Sequence, residues 1–94
     1  MFYEVKADAL PLLRVMKEDH QRHEPDAPFA DGTRLAPYLA AEHAGLGPDT
    51  LRYERAVRYL VREGVLVWEE RVGSVPGVDF YTVTGRGLDM LEAS

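Results

Sequence analysis

The sequence predicts a small α+β domain with a three-helix core, a two-stranded antiparallel hairpin and a short C-terminal helix. Three observations carry this. Apolar residues recur at helical spacing in three segments up to Glu63. Two β-branched and aromatic runs follow, Val65-Leu66-Val67-Trp68 and Phe80-Tyr81-Thr82-Val83, with turn residues between them. The 94 residues allow one domain with one modest core and leave no room for a second.

Each element has a local reason. Residues 1–7 are expected to form an N-terminal arm in which Phe2, Tyr3 and Val5 are apolar. The first helix is placed at 8–22, with Asp8 as its N-cap and Pro11 in its first turn, where a missing N–H does little harm. At about 100° per residue, Leu12, Leu13, Met16, His20 and His23 share one face. His23 to Gly32 reads as a loop, with Phe29 as its only large apolar residue. A second helix is expected over 33–44, presenting Leu35, Tyr38 and Leu39 inward among small alanines. Gly45-Leu46-Gly47-Pro48 makes a tight turn, and Pro48 suits the start of a third helix over 48–63. That helix turns Tyr53, Val57, Leu60 and Val61 to the core and Arg55, Tyr59 and Arg62 away from it, with Arg52 and Arg58 on the shoulders. Gly64 closes it. The hairpin occupies 65–84, turning through Gly73-Ser74-Val75-Pro76-Gly77, and Thr84 is expected to cap a last helix over 85–92 in which Leu88 and Leu91 face inward.

Composition removes several function classes. Hydrophobic residues at 46% and charged residues at 29% fit a folded water-soluble domain rather than a disordered chain. No apolar run is long enough to cross a bilayer, and the N-terminus lacks the pattern of a signal peptide, so a cytoplasmic location is expected. The absence of cysteine excludes disulfides, thiolate metal sites and a cysteine nucleophile. Eleven Lys and Arg against 16 Asp and Glu leave a net charge of −5, unpromising for a partner of nucleic acid. The distribution reverses that impression, because Arg52, Arg55, Arg58 and Arg62 all fall on the third helix.

The order of elements, together with two motifs, resembles the winged helix–turn–helix domain. Tyr81-Thr82-Val83-Thr84-Gly85-Arg86-Gly87-Leu88-Asp89-Met90-Leu91 is similar to the closing segment of bacterial regulators of the MarR and PadR kinds, with Val83 in place of their usual leucine. Leu60-Val61-Arg62-Glu63-Gly64-Val65-Leu66 resembles their junction between recognition helix and first wing strand. The resemblance covers about Leu35 to Leu91 and implies a transcriptional regulator that binds double-stranded DNA as a symmetric homodimer. The third helix would enter the major groove, with Arg52, Arg55, Arg58 and Tyr59 contacting DNA and Thr50 and Arg62 near the phosphates. The dimer would use the N-terminal arm, the first helix and the last helix.

Other readings stand beside this one. The arginine face is also what a solvated helix would show if Glu54 and Glu63 paired locally with Arg58 and Arg62. Glu69, Glu70 and Asp79 outweigh Arg71 in the hairpin, so the wing is acidic and suits a protein partner; Trp68 and Phe80, as neighbours on one face of the hairpin, either cover the core or, if exposed, mark an interface. His20 and His23, with Asp19 and Glu24 nearby and His43 farther off, have metal-ligand chemistry but lie on an apolar face, and no metal or other cofactor is expected. Ser74 and Ser94 have no base at a recognisable spacing, and Gly85-Arg86-Gly87 follows no phosphate-loop pattern, so no enzymatic activity is expected.

Overall fold

A computed structural model describes residues 5–70 and 78–94. Phe2, Tyr3, Arg71 and the expected turn Gly73-Ser74-Val75-Pro76-Gly77 lie outside the described residues. The chain is α+β, with four helices and a three-stranded antiparallel sheet. No described helix is long and apolar enough to cross a membrane.

Helix α1 spans Val5–His23, so residues expected in an arm are helical and Asp8 is inside the helix rather than at its cap. The reason is that the Asp8 carboxylate is occupied by a side chain of α3, described below, and is not turned to the local amides. Pro11 is likewise interior. The amide it lacks would have met the carbonyl of Ala7, an exposed position where water can replace it. One face of α1 buries Ala9, Leu12, Leu13 and Met16.

The segment expected to be a helix over 33–44 divides in two. Arg34–Leu35 forms strand β1, and α2 is the single turn Pro37–Ala40. Pro37 explains the break. A residue before proline is forced out of the helical region, and Ala36 sits at φ −123° and ψ 88°. Pro37 then starts α2 with its ring already suited to the first helical position. The short helix leaves Leu39 at 62% exposure instead of inward.

Helix α3 covers Leu51–Arg62, starting later than expected because Pro48 and Asp49 belong to the preceding turn. Gly64, at φ +75°, lets the chain reverse into strand β2, Leu66–Glu69. The amide of Val65 reaches back 2.8 Å to the carbonyl of Leu60, closing the helix end. Strand β3, Phe80–Val83, lies between β1 and β2. Its pairing with β1 places Arg34 opposite Thr82 and Leu35 opposite Tyr81, so the expected two-stranded hairpin gains a third strand.

The register of β2 on β3 corrects one expectation. Trp68 faces Tyr81, and Phe80 faces Glu69. Trp68 and Phe80 therefore project from opposite faces of the sheet. Leu66 and Val83 form the next pair on the Trp68 side, and both are buried. They close the core with Leu60, Val65 and the α1 leucines, while Met90 and Leu91 of α4, Gly85–Glu92, pack against it.

Thr84 precedes α4, but its hydroxyl makes no capping bond to that helix. It donates instead to the carbonyls of Gly64 and Val65. Thr84 thus ties the last helix to the exit of α3. Gly87 completes the junction: a Cβ there would lie 2.7 Å from a Val83 methyl and 2.9 Å from a Val65 methyl.

Two substitutions check this junction in urea denaturation. Gly87→Ala is expected to lower stability by about 1–3 kcal/mol through overpacking. Thr84→Val is expected to cost about 1 kcal/mol through its lost hydrogen bonds. Unchanged midpoints for both would contradict the packing described.

Candidate nucleic-acid interface

The roll of α3 about its axis decides which arginines are available to a ligand, and its contact with α1 sets that roll. This is the most extensive helix–helix contact in the molecule. Ala56, Val57 and Leu60 supply its apolar part from α3. Asp8 of α1 is only 8% exposed, and a carboxylate so placed requires a partner. Arg52 provides it in a fork: Nε donates to Oδ2 at 3.1 Å and Nη2 to Oδ1 at 2.7 Å. The Asp8 carboxylate, by hydrogen bond and by charge, raises the Arg52 guanidinium above its ordinary value, so Arg52 remains cationic. Its side chain is otherwise largely open to solvent, which screens the attraction.

At the start of α3, the Thr50 hydroxyl accepts from the Tyr53 amide at 3.3 Å and donates to the Gly47 carbonyl at 2.6 Å. Thr50 is the N-cap. Tyr53 is half-buried, and burial first, then the neighbouring Tyr81 and Asp79, holds its phenol well above the ordinary tyrosine value. Tyr59 packs against the core rather than projecting outward. Two residues expected at a DNA surface therefore have visible roles within the fold, and Arg52 is committed to Asp8.

Arg55, Arg58 and Arg62 remain, and all three are exposed. None makes an ion pair or hydrogen bond among the described residues. The local pairing expected of a merely solvated face is not formed. Glu63 turns to Arg86 at 3.7 Å, and Glu54 makes no bridge to Arg58. Arg22 meets Asp19 at 3.1 Å and Arg34 meets Glu69 at 3.3 Å, while Arg14 on α1 is, like the three on α3, exposed and makes no ion pair among the described residues. The three α3 guanidiniums span seven positions, about 10 Å along the helix. With Leu51, which is 57% exposed, they form the outward stripe of α3.

Sequence reasoning missed the flank of this stripe. Val57 and Val61 of α3, with Tyr81 and Trp68 of the sheet, line a cleft of about 420 Å³, and Arg58 and Arg62 line it too. Val61 was expected in the core but is 40% exposed, and Trp68 is 53% exposed. The pairing of Trp68 with Tyr81 creates the cleft, and no periodicity within α3 alone announces it.

The acidic side of the wing is partly neutralised, because Glu69 is held by Arg34. All three histidines line a separate cleft of about 560 Å³ that includes no α3 residue. His20 packs edge-on to Phe29 with ring centres 5.8 Å apart, and its nitrogens lie 3.4 Å from a Glu24 oxygen and 3.3 Å from the Ala27 carbonyl. His23 Nδ1 is 2.7 Å from the Asp19 carbonyl, and His43 Nδ1 is 3.3 Å from the Asp19 carboxylate. Among the described residues, no three such groups converge in a way that would hold a metal ion.

The Asp8–Arg52 pair is testable as a thermodynamic cycle. Asp8→Asn and Arg52→Ala are each expected to lower the melting temperature, and the double variant is expected to lose clearly less than their sum. Strict additivity would show that the pair does not couple α1 to α3. Comparison of the chain with protein-family models, curated proteins and solved structures gives no match, so its function is argued from these residues.

Proposed function

We propose that the protein is a winged-helix transcriptional regulator that binds double-stranded DNA through α3. One observation carries this reading: three exposed arginines, without acidic partners among the described residues, lie on one helix face of a chain whose net charge is −5. Such a chain repels phosphate over most of its surface, so the attraction must come from a local patch. In a helix–turn–helix arrangement α3 follows the turn and is the element that enters the major groove. Arginine suits both tasks met there, a fork to guanine and a charged contact to phosphate. Arg55, on the outward stripe, is assigned to base reading, and Arg58 and Arg62 to phosphates. Arg52 and Thr50 act one step back, fixing the roll and the start of the helix.

A symmetric homodimer would place two copies of α3 on two half-sites, with α1 and α4 as the joining surface. Sedimentation is expected to show a dimer at micromolar concentration, and monomer alone would contradict that part of the proposal. A second reading, a protein-docking module, is favoured by the exposure of Val67 and Trp68 on the wing. It predicts that partner binding survives loss of Arg55 and Arg58.

Fluorescence anisotropy on a random and a selected duplex tests the DNA reading. Arg62→Ala is expected to weaken both complexes alike and flatten the salt dependence by about one unit of slope. Arg55→Ala is expected to cost about 1–3 kcal/mol on the selected duplex and to relax preference at one position. Wild type without salt-sensitive binding to either duplex at low salt would overturn the proposal.

A further inference from the structure

The cleft between α3 and the sheet has chemistry that groove binding does not use. It is lined by Val57, Val61, Tyr81 and Trp68 together with Arg58 and Arg62, the two cationic residues of the lining. Base pairs in a duplex present edges bearing donors and acceptors to a protein, while their faces are hidden by stacking. An apolar slot with a half-exposed indole has little to offer an edge. It matches a face.

Resting on the DNA reading above, we propose that this cleft receives one unstacked base of a DNA strand, laid against Trp68. Arg58 and Arg62 hold the phosphates beside it. Three observations favour this occupant. Trp68 is 53% exposed although it stands on the same side of the sheet as buried Leu66 and Val83, so its ring extends past the end of the core and is left available. Tyr81, directly opposite Trp68 on β3, gives the slot an aromatic floor. The two arginines are one helical turn apart, about 6 Å along the axis, which is close to one nucleotide step of an extended strand. Neither has an acidic partner among the described residues, so the α3 side of the cleft attracts an anion, while Asp79 acts on the Tyr81 side. Stacking on an aromatic side chain tolerates any base, so the cleft would favour DNA with an unpaired base over perfect duplex without adding a sequence preference.

The chain contains one tryptophan, which makes the test direct. Intrinsic fluorescence is followed while three DNAs are added: a fully paired duplex, the same duplex with a short thymidine overhang, and that duplex with abasic overhang positions. Affinities are measured in parallel by anisotropy. The expected result is quenching of Trp68 with the thymidine overhang, little with the other two, and about five- to hundredfold tighter binding of that overhang than of the paired duplex. Trp68→Leu, at a half-exposed position and checked for folding by circular dichroism, is expected to erase that preference and leave paired-duplex affinity unchanged. Salt-sensitive duplex binding with no tryptophan response and no overhang preference would overturn this inference and leave the DNA reading standing. Failure to bind any of the three at low salt would overturn both. An alternating Glu/Phe peptide that quenches Trp68 at lower concentration than the overhang DNA would also overturn it, assigning the cleft to an acidic protein segment.

Discussion

A carboxylate buried where two helices meet constrains the whole molecule. Asp8 lies on α1 at its contact with α3, where its buried oxygens need hydrogen-bond donors. Arg52 answers with both arms of its guanidinium. Ala56, Val57 and Leu60 bury the apolar face of α3, and the hydrophobic effect is itself non-directional. A forked hydrogen bond is far more directional. The pair therefore selects one roll, and that roll turns Arg55, Arg58 and Arg62 outward. The arginine given up to the fold is what orients the three left for a ligand.

The other end of α3 is held by backbone chemistry. Gly64 takes the left-handed turn, and the Val65 amide closes the helix onto the Leu60 carbonyl. The hydroxyl of Thr84 draws the start of α4 to the same place. Val65, Val83 and Gly87 then pack without space for another methyl group. Strands β2 and β3 leave this junction with their register determined, and Trp68 and Tyr81 are carried to the side of α3. The cleft and the arginine stripe are consequences of the same two anchors.

Much of this was legible in the residues, and the rest failed for identifiable reasons. The apolar stripes of α1 and α3, Gly64 as a helix end and residues 85–92 as a last helix all follow from local pattern, because each signal lies within one element. Thr84 holds the expected N-cap position of α4 and Asp8 does not hold that of α1, but neither side chain makes a capping bond, since each is used by a partner far away in sequence. Strand β1 was hidden for the same reason: Arg34 and Leu35 form a strand only because β3 lies beside them, although Pro37 already weakened the case for a long helix. For the site, clustering of arginines on one helix was visible, but which of them was committed to the core was not. Arg52 looks no different from its neighbours until α1 is placed against it. Val61 reads as a core residue and is exposed, because a cleft between elements has no signature in either element alone.

Of the four arginines on α3, Arg52 is held by Asp8, and the proposed function gives Arg55, Arg58 and Arg62 to DNA. NMR of the arginine Nε–H groups during titration with a duplex reads that division residue by residue. Large shifts are expected for Arg55, Arg58 and Arg62, while Arg52 keeps the signal of a guanidinium bonded to Asp8. Shifts centred on Arg52, or on groups of α1 and α4 with Arg55, Arg58 and Arg62 unmoved, would contradict it.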